Sequence, residues 1–389
     1  MSGTARLPPG STAMLLVLAS GYFVVGVASL AVVGVLGPMG RDLGVAPSAA
    51  AGLVTAFALA FAVVAPTAQA ALARFALPAI MIAGLVGLAA GTVATALASD
   101  YTTALAARIL TGAAAALVGP SASSIAAARV PPAARGQALG LVFGGLTVAT
   151  VAGVPLAAWL GGHLSWRMVF VCVAAAALLA AVLVRALVPR AAGAGRTSAG
   201  LADMLALARG RAVGAAVLAA LLQMAAQFIT YALIGRLLSE RFGAAPDAVA
   251  LALLVFGGAG VLGNIAAARL TDRIGANLTL RVSVIGMALS FVVLALAAPS
   301  FPAALAALAG WAVFGLMFQA PQQKRLAAAA QERTPVALGL NAAALYLGMA
   351  GGSALGGVVY TGLGPAALPV ASLAATVLCG LCAELAARR

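Results

Sequence analysis

The sequence predicts an all-α membrane protein: twelve transmembrane helices in two pseudo-symmetric six-helix halves. Three observations carry this. Hydrophobic residues make up 64% of the chain and charged residues 8%, with mean hydropathy +1.14, whereas a soluble domain holds roughly a quarter charged residues. Apolar stretches near the ~20 residues that cross a bilayer recur from end to end. The pattern also repeats at an offset of 199 residues. Gly44-Val-Ala-Pro47 aligns with Gly243-Ala-Ala-Pro246, Phe57 with Phe256, Ala138-Leu-Gly-Leu141 with Ala337-Leu-Gly-Leu340, Gly153 with Gly352, and Arg74 with Arg273. Two parallel halves holding substrate between them near mid-membrane are the build of many secondary transporters.

In order, the expected spans are roughly 13–37, 47–71, 79–98, 102–126, 139–162 and 167–187 in a first half, 1–187. The second half, 213–389, is expected to hold 213–238, 248–268, 281–299, 303–322, 336–361 and 367–386. Gly and Pro inside these runs are compatible with membrane helices, because neighbours can satisfy the freed backbone groups. Between the halves, 188–212 reads as a cytoplasmic linker. Its first part, from Pro189 to Arg196, is a flexible tether. Its second part, with Leu201, Met204 and Leu205 before Arg209 and Arg211, predicts a short helix on the lipid surface. The other connections are short, so neighbouring helices run antiparallel.

The net charge of +14 raises the question of nucleic acid. Seventeen basic residues fall on the side of the N-terminus, among them Arg6, Arg74, Arg129, Arg135, Arg209, Arg273, Lys324 and Arg389. Only Arg41, Arg167, Arg236 and Arg241 fall on the other. This positive-inside bias predicts a multi-pass membrane protein with both termini cytoplasmic. Alternate short loops offer no continuous basic face for nucleic acid. Cys172, Cys379 and Cys382 lie in spans and read as packing residues despite the Cys379-x-x-Cys382 spacing. The one histidine, His163, sits at a helix end and reads as a solvated cap residue. No metal cluster, cofactor or catalytic constellation is expected, so the chain is not expected to be an enzyme.

Within the membrane, Arg108 is the lone charge at depth, costing roughly 2.5–3.5 kcal/mol to insert. It is expected to face a central cavity, binding an anionic or carbonyl-bearing substrate or coupling to a proton held nearby; the alternative is a structural arginine bonded to backbone carbonyls. Gln223, Gln227 and Tyr231 share one face of the seventh span. Trp311, Phe318 and Gln319 lie on the tenth, Asn341 and Tyr346 on the eleventh, and Tyr22 and Ser29 on the first. Binding sites are mostly apolar and aromatic with a few placed polar groups, so these are substrate-contact candidates; interhelical hydrogen bonding is the competing role for each. Small residues every four positions, Gly145 to Gly161 on the fifth span and Ala344 to Gly356 on the eleventh, predict close-packed faces at which the halves could also slide.

These residues carry a resemblance to the major facilitator superfamily, within it to bacterial drug:proton antiporters of the chloramphenicol and sugar-efflux kinds. Leu105-Ala-Ala-Arg108-Ile-Leu-Thr-Gly112 resembles the family's fourth-helix motif. Gly145 through Gly153-Val-Pro155 resembles the fifth-helix antiporter motif, and Leu262-Gly263-Asn264 with Asp272-Arg273-Ile-Gly275 resembles helix 8 and its loop. The resemblance implies export of small molecules in exchange for protons, with Arg74, Asp272, Arg273, Gly275, Gly153, Pro155 and Gly352 in gating. Two places depart from the family. The first-half loop reads Ala73-Arg74-Phe75-Ala76, without the motif's acid or glycine, and Ser29 stands where many relatives hold a helix-1 carboxylate.

The leading expectation is thus a monomeric secondary transporter in lipid, exporting small amphipathic molecules, with protons as coupling partner. If a proton is carried, the expected carriers are edge acids such as Asp100 or Asp272. The alternative is a facilitator or exchanger for an anionic metabolite, using Arg108. A membrane enzyme or a channel fits less well, since neither a reactive cluster nor a charged ring is evident.

Overall fold

A computed structural model describes residues 11–72, 74–131, 134–189, 201–297 and 300–387. Arg6, Arg190, Arg196, Arg388 and Arg389 lie outside them, as does most of the expected tether. Among the described residues, twelve helices are long and apolar enough to cross a membrane. They are α1 (Ser11–Asp42), α2 (Pro47–Ala68), α3 (Leu77–Leu97), α4 (Tyr101–Ala128), α5 (Arg135–His163), α6 (Trp166–Leu187), α7 (Arg211–Tyr231), α8 (Pro246–Arg273), α9 (Ala276–Leu296), α10 (Phe301–Arg333), α11 (Val336–Leu363) and α12 (Pro365–Ala387). Large apolar side chains such as Leu97, Leu179, Val182, Leu296 and Leu381 stay exposed. In water this would be a liability; here it is the face turned to lipid.

Local chemistry sets the ends. Asp100 caps α4 by accepting from the Thr103 N–H at 2.9 Å, and Ser165 caps α6 from the Arg167 N–H at 3.2 Å. The seventh predicted span is broken: a short helix, Ile234–Phe242, follows α7. It ends at Gly243, whose φ of +65° is matched by Gly44 at the equivalent place in the first half. The repeat therefore extends from sequence to backbone conformation, using the one residue type that adopts it freely. Gly275, at +83°, shows the opposite. Its first-half counterpart is Ala76, at −64°, so the two equivalent loops turn differently.

The small-residue faces lie inside each half. Along α5, Gly145 meets the backbone of Ala19, Gly153 meets Val27 and Gly161 meets Val35, all on α1. Along α11, Gly348, Gly352 and Gly356 meet the backbone of Leu221, Ala225 and Ile229 on α7. The expectation that the halves slide on these faces is corrected accordingly. Small residues let helices approach this closely in a membrane, and here the close approach lies within each half.

Two prolines break two spans. In α5, Pro155 has no N–H to offer the Val151 carbonyl, and residues Ala149–Gly153 form a π-turn in which the Val154 N–H bonds the Ala149 carbonyl. In α10, the helix stops at Met317 and restarts at Gln319, two residues before Pro321. The carbonyls near this break are met by other helices. Ser283 Oγ donates to the Phe314 carbonyl at 2.6 Å, and Gln223 Nε2 to the Gly315 carbonyl at 2.9 Å. Gln223→Leu is expected to lower stability by only about 1 kcal/mol in thermal unfolding. It loses the bond to Gly315 but also removes an amide oxygen that has no partner among the described residues.

The Leu201–Ala208 helix packs against α7 and α11, with Met204 reaching Gly339.

Candidate substrate pathway between the halves

The halves meet along two crossings related by the repeat. At the first, between α2 and α11, Ser353 Oγ donates to the Ala51 carbonyl at 2.9 Å and Thr55 Oγ1 to the Ala350 carbonyl at 3.2 Å. A Cβ on Gly357 would stand 3.0 Å from the Ser48 carbonyl oxygen. At the second, between α5 and α8, a Cβ on Gly257 would stand 2.6 Å from the Thr150 carbonyl oxygen and 2.7 Å from Val151 Cα, within the π-turn. Gly162 and His163 meet Pro246 and Asp247 farther along. All these contacts lie toward the end of the bundle where α2 and α8 begin. Toward the other end, the Arg135–Val148 stretch of α5 has no extensive packing on α8. The second crossing is thus closed toward one end and parted toward the other.

Just on the parted side of the second crossing is a cleft of about 90 Å³, lined by Leu146, Thr147, Thr150, Gly257, Val261, Asn264 and Leu316. Near the first crossing, Phe61 of α2 stacks on Tyr346 of α11 with ring centroids 3.6 Å apart. In the first half, the Tyr22 hydroxyl pairs with Ser123 at 2.8 Å. Phe143 lies against the Tyr22 ring at 4.9 Å. Of the predicted contact residues, Tyr346 stacks across the first crossing, and Tyr22 meets Ser123 and Phe143 within its own half.

The rest lie elsewhere. Arg108 is fully buried inside the first half. It donates to the carbonyls of Ala28 at 2.7 Å, Leu53 at 3.2 Å and Ser29 at 3.4 Å, and its guanidinium lies 4.6 Å from the Phe57 ring centroid. Gly112, one turn on, rests against the Phe57 backbone. The fourth-helix motif thus packs α4 on α2 and bonds it to α1 and α2. The expectation that Arg108 faces the cavity is corrected: in this state every direction its fork points is taken by protein. Ser29 is buried beside it. Tyr231 and Trp311 belong to an aromatic core with Phe228, Phe256 and Phe291 in the second half. Phe318 is buried among Ala219, Ala220 and Leu280. Gln227 rests against Gly315, Gln319 is half-buried, and the Asn341 Oδ1 is buried with no partner among the described residues.

Of the gating residues, Asp272 is met by Lys324 Nζ at 3.3 Å within its own half, and Arg273 is exposed. Arg74 lies over Phe75. The edge acids are otherwise occupied: Asp100 caps α4, and the Thr103 N–H and hydroxyl hold its carboxyl below the usual range. A carboxyl held so low stays ionised at physiological pH and is a poor proton carrier. Thr147, Thr150 and Asn264 were missed in sequence, because single polar residues on otherwise apolar helices carry no sign of which face meets the other half. The Asn264 motif was visible; its position in the gap was not.

A two-half membrane bundle with a lined gap that opens at one end defines a secondary transporter. The chain belongs to the Major Facilitator Superfamily, whose family description matches residues 18–234 and 215–389. It is 31% identical over 381 residues to the inner membrane transport protein YdhP of Escherichia coli (strain K12), covering 96% of each chain. It is 30% identical over 266 residues to a chloramphenicol resistance protein of Streptomyces lividans, covering 67% of each. In fold it is similar to a bacterial homologue of the lysosomal transporter Spinster in an inward-facing, unoccupied conformation, with a TM-score of 0.74, 17% identity and coverage of 97% and 96%. A D-xylose–proton symporter matches with a TM-score of 0.75, 19% identity and coverage of 95% and 96%. The protein is a multi-pass inner membrane transporter of small molecules, not an enzyme.

Proposed function

We propose that the protein exports small, largely uncharged amphipathic molecules by alternating access, in exchange for protons. The observation that carries this is the gap lining. The cleft is lined by Leu146, Thr147, Thr150, Gly257, Val261, Asn264 and Leu316, an apolar surface with two hydroxyls, an amide and no charged side chain, and Phe61 stacks on Tyr346 at the other crossing. Such a surface favours apolar bodies with a few hydrogen-bonding groups. A relative of this length that is a chloramphenicol resistance protein supports export. The arginine-rich loops support a cytoplasmic placement of both termini, which makes the parted end cytoplasmic and this state inward-facing. One chain holds both halves and the gap between them, which supports a working monomer whose exposed apolar belt meets lipid. The anionic-metabolite alternative loses its footing with Arg108 turned to carbonyls.

The test is flux in proteoliposomes with a panel of neutral, cationic and anionic amphipaths. Neutral aromatic compounds are expected to move several-fold faster under an imposed pH gradient. Unchanged flux on collapsing that gradient, with the membrane potential clamped, would refute coupling. Preference for the anionic members would refute the substrate class.

A further inference from the structure

At the closed end, the chain's one histidine joins the two halves. His163, the last residue of α5, has its Nε2 3.4 Å from Asp247 Oδ1 at the start of α8. Its Nδ1 lies 3.0 Å from the Trp159 carbonyl, and its ring stacks on Trp159 with centroids 4.7 Å apart. The stacking and the carbonyl fix the ring plane, and Gly162 against Pro246 brings the two helix ends together. The sequence reading of His163 as a solvated cap residue is therefore incomplete.

The donor inventory makes the arrangement informative. A backbone carbonyl and a carboxylate both only accept, whereas a neutral imidazole has one N–H and one bare lone pair. Only the imidazolium can donate to both neighbours. When the halves part at this end, Asp247 leaves with the second half and one of the two acceptors goes with it. We propose that His163 and Asp247 form a proton-operated latch, in which a proton taken up from the water at this end of the bundle stabilises the closed state. The side chains are 41% and 72% exposed, so protons reach them from the adjoining aqueous side.

Other charged groups at this end have work elsewhere. On α6, Arg167 pairs with Asp42 at the end of α1 and donates to the Ala98 carbonyl. On the Ile234–Phe242 helix, Glu240 is held by Arg236 and Tyr360, and Arg241 donates to three carbonyls at the end of α9. Asp100 caps α4, and Arg41 is exposed on the last turn of α1.

The proposal rests on the alternating-access reading for the existence of a second state, and the test separates the two. Spin labels at Leu164 and Leu363, both exposed near the closed end, are placed in full-length protein whose three cysteines are replaced. Distance distributions are recorded in lipid at pH 5 and pH 8.5. The closed-to-open ratio is expected to fall about two- to five-fold at the higher pH, the range for an exposed ion pair. His163→Gln and Asp247→Asn are each expected to abolish that pH response, and His163→Lys to keep the closed bias at both pH values. A pH response that survives His163→Gln overturns the latch alone. A single distance in every variant at both pH values overturns alternation, and the latch with it.

Discussion

Gly352→Leu is expected to leave a chain that inserts but does not form a working transporter. Insertion depends on hydropathy, which leucine raises. Packing is another matter. Gly352 lies against the Ala225 backbone, between Gly348 and Gly356, which lie against α7 in the same way. No rotamer of a larger side chain avoids a backbone, so α11 must separate from α7. Overpacking costs typically about 1–3 kcal/mol and more where backbone cannot shift; the upper end is expected, with a lowered unfolding temperature and flux below about a tenth of wild type. Gly257→Leu is the informative partner. Its clash is with Thr150 and Val151 of the other half, so it should disfavour the closed crossing while leaving each half intact. Flux should fall about tenfold, the equivalent of ~1.4 kcal/mol, with little change in unfolding temperature. Equal losses of stability in both variants would contradict the division into rigid halves joined by adjustable crossings.

Arg108→Ala is expected to destabilise the first half by about 2–4 kcal/mol. Inserting a central arginine costs about 2.5–3.5 kcal/mol on insertion scales. The hydrogen bonds to Ala28 and Leu53, a weaker one to Ser29, and the cation–π contact with Phe57 exceed that cost. Their loss, together with the space vacated, outweighs the relief of burial. Arg108→Lys should recover less than half of it, because a point charge cannot reach carbonyls on both α1 and α2 as the planar fork does. Thermal unfolding and substrate binding to the folded fraction give the check. An Arg108→Ala protein with wild-type stability and abolished binding would return this residue to the pathway.

These contrasts show where the sequence was legible. The spans, the two halves and the small-residue faces are periodic properties of single helices, so hydropathy, repeat offset and four-residue spacing expose them. What each face meets is another matter. Gly153 and Gly257 look alike in sequence, yet one meets its own half and the other the opposite half. Gln223 looked like a substrate contact and instead meets a helix break that Pro321 makes 98 residues away. The lone His163 gave no sign of a partner, because Asp247 is brought to it by the docking of two halves.

By itself, the sequence determined a twelve-span chain built from a repeated half, because the bilayer demands length and apolarity locally and duplication leaves its offset in the residues. Only the tertiary structure decided that Arg108 donates to carbonyls inside the first half, that Thr147, Thr150 and Asn264 line the cleft at the second crossing, and that His163 and Asp247 meet across the halves. Those assignments depend on the rotation of each helix about its own axis and on which end of the two halves is closed. Both are set by contacts between distant segments, and an apolar helix in lipid carries too little amphipathic pattern to announce them.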